Sequence, residues 1–450
     1  MLRTAVRRLH SAAPRASAFA DFPLPKDLPL VAPAPVSASS QAASGLRVGA
    51  IDTHGPTSSL VLVVPAGARA ETSETIGAAS FLANFAYKYT ANQSPIKLER
   101  EIAMRGMQVR TSVHREFLVY EAEFLRDDLA FAVSTLSDVV YNSKFHAWEF
   151  PAVAARTAAQ AAAAAANATA VGFETAHRLA FRTGLGNSIA PQVHNAITVD
   201  KVAAFANANV AIGSGASLFG VGVNHEELAA LAAAHFDASS GSAAAKQANK
   251  YFGGESRIEL AHGHNVTVAF PGAAAGTTDA ATLAVLSTLL GDGTKYVKWG
   301  EAGSPLVAAG RKASAGVKAV HAAYSDAGLF ALSSTCKTSG ANATNGITAA
   351  VAALKAASES VSASEATRAV NQAKATFLIN AEAKRAAALF AATQLATKGT
   401  FDATAVHASA IEKVTASDLQ RAAKALLAAK PTVVVAGKTV DLPYADTLGL

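Results

Sequence analysis

Leu62-Val63-Val64-Pro65-Ala66-Gly67 and Val268-Ala269-Phe270-Pro271-Gly272 are one pattern written twice in a single chain. Each is an apolar run of strand character that stops at proline and glycine, then continues into a polar loop and a helix. The repetition extends outward from there. Phe117-Leu118-Val119-Tyr120 precedes a helix beginning near Leu129, and Gly328-Leu329-Phe330-Ala331-Leu332 precedes a helix over about Asn345 to Ser358. Thr198-Val199-Asp200, a helix and a strand ending in Gly222 recur as Thr415 to Asp418, a helix and Thr432-Val433-Val434-Val435-Ala436-Gly437. The offsets are about 206, 211 and 218 residues. The same order at a near-constant offset predicts two related α+β domains.

Bulk composition fits that division. The 450 residues are 51% apolar and 16% charged, enough for two cores of roughly 200 residues each. No stretch of about 18 strongly apolar residues occurs, so no membrane span is expected. The alanine run at 161–166 is too weakly hydrophobic to insert. A single cysteine, Cys336, excludes an internal disulfide framework and a cysteine-based zinc cluster, and reads as a small buried residue.

Residues 1–20 carry Arg3, Arg7, Arg8 and Arg15 and no acid, the composition of a mitochondrial transit peptide. Without those arginines the formal charge falls from +6 to about +2, so the basic balance argues for no nucleic-acid partner. Residues 21–44 are rich in Pro, Ser and Ala and read as an extended arm suited to lie along a neighbouring subunit. The N-terminal domain is expected over 45–237, a Ser/Gly/Ala/Lys-rich linker over 238–250 and the C-terminal domain over 251–450.

The chemistry hinges on a helix expected over about Ile76 to Lys88. An inverted zinc-peptidase helix reads H-x-x-E-H, with two histidine ligands on one face and a glutamate base between them. Counted from Gly77, those places hold Ser80, Ala83 and Asn84. Elsewhere, His262 and His264 read as a polar hairpin, and His54, His114, His177, His194 and His321 as scattered surface or core residues. Trp148 to Ala180 reads as helix with a break around Asn167 to Gly172, and within it Ala152 to Ala170 reads as an alanine-rich helix packed closely against a sheet rather than as a partner-binding helix. Arg311, Lys312 and Lys318 form a solvated charged face. No haem or iron–sulfur ligand set is present, so no cofactor is expected.

Four segments resemble the pitrilysin-type (M16) metallopeptidase family over roughly residues 45–440: Gly67 to Gly77, Phe124 to Asp128, Trp148-Glu149, and Ala322 to Phe330. Tyr324-Ser325-Asp326-Ala327-Gly328-Leu329-Phe330 is the most specific of them. The resemblance implies two homologous domains, each a largely antiparallel sheet packed with helices, facing each other across a cavity. It also implies a third metal ligand, a glutamate, near Gln160 to Ala162, yet no Asp or Glu lies between Glu149 and Glu174. The family includes the mitochondrial processing peptidase subunits and the core proteins of the ubiquinol–cytochrome c oxidoreductase. Resemblance to the core-protein branch implies a noncatalytic subunit on the matrix side of the inner membrane. Its implied partners are a core protein 1 type subunit, cytochrome b, cytochrome c1 and the Rieske protein, within a dimeric complex.

The noncatalytic alpha subunit of the processing peptidase is the alternative that the resemblance leaves open. That subunit has a glycine-rich loop where this chain has Leu290 to Gly300. Here the glycines are sparse, and Lys295 and Lys298 suit a cationic presequence poorly.

Overall fold

The computed structural model describes residues 36–41, 45–191, 197–210, 215–236, 248–294 and 303–449. The first half contributes β1 (Val36–Gln41), β2 (Arg47–Asp52), β3 (Thr57–Val64), β4 (Gln108–Val113), β5 (Leu118–Leu125) and β6 (Ser217–Val221). They form one sheet in the order β1-β2-β6-β3-β5-β4. The second half contributes β7 (Gly254–Glu259), β8 (His264–Gly272), β9 (Gly316–Ala323), β10 (Gly328–Cys336) and β11 (Thr432–Gly437), in the order β7-β11-β8-β10-β9. Strands β2 and β6 pair in parallel, as do β7 and β11, and the remaining pairs are antiparallel. Five positions therefore match strand for strand. The repeated phrases fall on equivalent places: β3 with β8, β5 with β10, and β6 with β11.

Strand β1 has no counterpart in the second sheet. The sequence suggests a structureless arm suited to a neighbour, but 36–41 instead pair antiparallel with β2 of the same chain. Residues 1–35 and 237–247, which hold the expected leader and most of the expected linker, lie outside the described residues.

The helices of the first half are α1 (Ala78–Phe85), α2 (Pro95–Met104), α3 (Leu129–Tyr141), α4 (Phe150–Ala165), α5 (Ala168–Phe181), α6 (Val199–Asn209) and α7 (His225–His235). Those of the second are α8 (Thr278–Leu290), α9 (Pro305–Ala313), α10 (Gly340–Glu359), α11 (Ala363–Glu382), α12 (Lys384–Lys398), α13 (Thr404–Glu412) and α14 (Ala416–Ala428). The repeated threonines begin equivalent helices. Thr198 accepts from the Lys201 N–H to cap α6, and Thr415 forms a capping box with Asp418 at α14. Helix α1 is shorter than the expected Ile76–Lys88, and Tyr87 just beyond it turns to φ 62°. Arg311 and Lys312 occupy the last turn of α9, where cations complement the helix dipole.

Both faces of each sheet are covered, which explains why the strands read as near-continuous apolar runs. Leu60, Leu62 and Val64 join the core beneath the first half's own helices, while Val61 and Val63 pack on the opposite face. That opposite face is closed by α12, which belongs to the second half, through Ala388, Ala391, Ala392 and Leu395. The exchange is mutual. Ala176, Ala180 and Phe181 of α5 close the second sheet against Ala269, Leu329, Ala331 and Val434. Burying Phe219 and Phe330 on these sheets contributes roughly 1.5–3 kcal/mol each.

Polar contacts fix the exchanged helices. The Arg47 guanidinium donates to the Leu395 and Ala396 carbonyls at 2.8 and 2.7 Å, closing the C-terminal end of α12. Arg385 pairs with buried Glu121 at 3.0 Å. Where α5 meets the second sheet, Gly172 is required by close approach, since a Cβ there would lie 2.0 Å from Asn265 Oδ1. Asn265 has no room to give, because its amide donates to Ser333 and Thr335 at 2.8 Å and its oxygen accepts from Thr267 at 2.8 Å.

Gly172→Ala is expected to destabilise the fold by about 1–3 kcal/mol despite its better helix propensity. Thermal unfolding checks this, and an unchanged or raised midpoint would refute the close-packing account. The helix break expected around 167–172 is correspondingly narrower: Ala166 ends α4, Asn167 caps α5, and Gly172 lies inside α5. The close packing expected of Ala152 to Ala170 is not observed: its alanines are exposed or half-buried apart from Ala168. Helix α4 fully buries just Val153 and Thr157.

Candidate functional site: a peptidase frame with amide replacements

The segment leading into α1 is built to hold that helix. Gly77, at φ 90°, adopts a left-handed turn that side-chain-bearing residues resist. The buried Glu71 carboxylate accepts from the Gly77 N–H at 3.0 Å and the Ala79 N–H at 2.9 Å, satisfying amides that the helix start leaves open. Burial pushes the Glu71 carboxyl up to about 7, while the two donated hydrogen bonds pull it down.

A folded-state value above the unfolded one means that the native chain binds the extra proton. Stability therefore falls as pH rises from about 4.5 to 7. After the helix dipole offsets part of the burial cost, this change is about 2 kcal/mol. Unfolding curves across that window, compared with Glu71→Gln, should show the slope flattened in the variant. Parallel slopes would remove Glu71 as its source.

On α1, Ser80 and Asn84 are buried and Ala83 is half-buried. The Asn84 amide donates to Thr157 Oγ1 at 2.9 Å and to Gln160 Oε1 at 2.8 Å, and Gln160 donates back to Asn84 Oδ1 at 3.4 Å. Thr157 donates its own hydroxyl to the Val153 carbonyl at 2.8 Å. Gln160, the first residue of the window Gln160 to Ala162 where the family resemblance places the third ligand, thus faces position 84 directly. The pair is a neutral amide–amide contact. Amide and hydroxyl groups supply neither imidazole nor carboxylate, and Ala83 has no group that could take a proton from water. No cluster of three metal-ligating side chains occurs among the described residues. Phe150 of α4 stacks on Phe81 at 5.4 Å, holding the two helices together.

The Tyr324-to-Phe330 motif has a role that sequence reasoning did not identify: it joins the halves. Arg69 donates to Glu116 at 2.8 Å and grips Asp326 through two bonds of 2.9 and 2.7 Å. The Ser325 N–H donates to Glu116 at 2.9 Å, and its hydroxyl donates to the same carboxylate. Burial would raise the Asp326 carboxyl, but hydrogen bonds from Arg69 and Asn249 bring it below its ordinary value. Asn249 is one of the few described residues of the expected linker.

Tyr324 donates its hydroxyl to His177 Nε2 at 2.8 Å, because His177 Nδ1–H is committed to the Phe173 carbonyl at 2.8 Å. Burial, with help from nearby Arg115, holds His177 neutral by lowering it to about 3. Leu329 and Phe330 then point to opposite faces, one against α5 and the other into the second half's core.

The other segments have structural explanations too. Arg126 makes a bidentate pair with Asp52 at 2.7 and 2.6 Å, drawing that carboxyl down to about 2. Glu149 is buried near the Tyr89 N–H, while Trp148 is exposed and stacked on His146 at 3.9 Å. His54 lies 3.5 Å from Asp52, His264 opens β8, and His321 is lowered to about 4 by burial on β9. His194 lies outside the described residues. Within the Leu290–Gly300 stretch only residues up to Thr294 are described. There, Gly293 donates to the Val317 carbonyl at 2.7 Å, and a Cβ on Gly291 would lie 2.2 Å from Ser304 Oγ. Both glycines serve close packing against their neighbours.

This geometry agrees with the comparisons to known proteins. Residues 47–192 match the family described as Insulinase (Peptidase family M16), and residues 196–373 match the Peptidase M16 inactive domain. The chain belongs to the M16 peptidase family. It is 36% identical to the cytochrome b-c1 complex subunit 2 of Cryptococcus neoformans, over 92% of this chain and 95% of that one. Identity to the Neurospora crassa protein of the same description is 34%, over 90% of each chain. The mitochondrial-processing peptidase subunit alpha-2 of Dictyostelium discoideum is 27% identical, over 91% of this chain and 94% of its own. Where the family resemblance would place two metal ligands and a base, this chain carries Ser80, Asn84 and Ala83.

Proposed function

We propose that this chain is a noncatalytic core subunit of the mitochondrial cytochrome b-c1 complex, of the subunit 2 type, supporting its assembly and stability. The observation that carries the reading is the amide pair of Asn84 and Gln160, which occupies the expected metal-ligand positions within an otherwise complete M16 fold. Full-length similarity to several subunits of that description supports it. No described helix is long and apolar enough to cross a membrane, which is compatible with peripheral attachment.

The finer reading places the chain on the matrix side of the inner membrane, after removal of a leader within residues 1–20. It pairs with a core protein 1 type subunit, in a dimeric complex with cytochrome b, cytochrome c1 and the Rieske protein. Its peptidase-like domains run over 45–237 and 251–450, joined by 238–250, and it holds no catalytic residue, metal or cofactor. Native electrophoresis of solubilised mitochondrial membranes tests this, with comigration of the chain with cytochromes b and c1 as the expected result. Similarity to the Dictyostelium alpha-2 subunit supports a second reading, presequence binding beside a zinc-bearing peptidase subunit. Recovery only in a soluble pair with such a subunit would favour it.

A further inference from the structure

A cavity of about 390 Å³ opens between α4, α5 and residues 186–191. Ala161, Ala164, Ala165, Val171 and Ile76 supply apolar wall, and Arg178 and Arg182 line it one helical turn apart. The one carboxylate in its lining, Glu174, is already engaged by Arg115 at 2.7 Å, Ser188 Oγ at 3.0 Å and the Ile189 N–H at 2.9 Å. Arg178 and Arg182 have no carboxylate partner among the described residues. The lining therefore combines an alanine, valine and isoleucine surface with Thr175, Asn187 and Ser188 and with two exposed arginines, Arg178 and Arg182.

Arg182 is held in an unusual way. It follows α5 at φ 61° and ψ −62°, a conformation that side-chain-bearing residues rarely adopt. Its guanidinium carbon lies 3.9 Å from the centroid of the Phe252 ring, a cation–π contact. The helix dipole accounts for a cation at the end of α5. It does not account for an arginine in that conformation, in contact with a ring, beside a second arginine on the same cavity.

We propose that this cavity binds an anionic amphiphile, with a carboxylate or phosphate head on Arg178 and Arg182 and a short alkyl chain along the alanine, valine and isoleucine wall. Guanidinium edges match such heads in pairs of hydrogen bonds, and the volume is in the range of small-ligand pockets. The side chains of Asn84 and Gln160 are not part of its lining, and binding requires no chemistry from them.

Isothermal titration of the full chain tests the proposal, using decanoate, decyl phosphate, decanol and inorganic phosphate as probes. Decanoate and decyl phosphate should saturate one site, with decanol and inorganic phosphate about tenfold weaker or more. Arg182→Gly suits the backbone at that position, so its unfolding temperature should hold or rise while decanoate affinity falls about tenfold. Arg178→Gln should weaken binding similarly. Equal affinity for decanol and decanoate, affinity unchanged in both variants, or no saturable binding would overturn the site. Flotation with neutral vesicles, with and without phosphatidylglycerol, identifies the source. Arginine-dependent capture by anionic vesicles marks a bilayer lipid, and binding confined to dissolved amphiphile marks a free acid.

Discussion

Arg115→Ala is expected to lower the stability of the fold by about 3–5 kcal/mol, more than any other single exchange considered. Arg115 is only 1% exposed, yet it carries a full charge. Its guanidinium donates to the Leu185 carbonyl at 3.1 Å, the Asn187 carbonyl at 2.5 Å and Glu174 at 2.7 Å. Truncation would strand Glu174 without its cation and leave two carbonyls short of a donor. The effect should spread to the neighbouring clamp, since Asn187 donates to the Ala68 and Glu71 carbonyls at 2.8 and 3.0 Å. Denaturant unfolding with circular dichroism measures the loss. Glu174→Gln, which keeps an acceptor beside Arg115, should cost less. A drop below about 1 kcal/mol for Arg115→Ala would show that the buried charge is dispensable.

Restoring metal ligands should have an equally large effect of the opposite kind. The triple exchange Ser80→His, Asn84→His and Gln160→Glu is expected to give a chain that retains one zinc ion per molecule, whereas the parent retains none. Positions 80 and 84 are one turn apart on the same helical face, and Asn84 already touches Gln160 at 2.8 Å. Two imidazoles and one carboxylate then supply the His₂Glu set of a catalytic zinc centre, with an open position left over. Zinc at about a thousandfold above its dissociation constant would stabilise the variant by about 4 kcal/mol, reversed by a chelator. Metal analysis after gel filtration, with unfolding curves with and without zinc, measures both. A folded variant that retains no zinc would show that the frame has drifted beyond repair.

Much of this was legible in the chain because the repeat is carried by strands, whose apolar runs and terminating glycines survive in the sequence. Strands β3 and β8, β5 and β10, and β6 and β11 fall where the phrases placed them. Of the candidate site, the helix frame singled out Ser80, Ala83 and Asn84 and the family resemblance the window Gln160 to Ala162, and the fold brings Asn84 into contact with Gln160.

The exchange of α5 and α12 was not legible. Ala388, Ala391 and Leu395 mark a buried face, but nothing in their pattern says which sheet it covers. Likewise, no local rule pairs Arg69 with Asp326, because their meeting depends on how two distant halves settle. Arg115 carries no signal of burial at all, since a lone arginine beside a turn ordinarily reads as surface.

The exchanged helices also set an order in time. A chain made from its N-terminus forms β3, β5 and β6 before α12 exists, so the face bearing Val61, Val63 and Phe219 stays bare until Leu395 has been produced. The second sheet never waits in this way, because α5 precedes every strand it covers. The first half is thus the one exposed to wrong partners during synthesis, and its protection depends on the last third of the chain arriving.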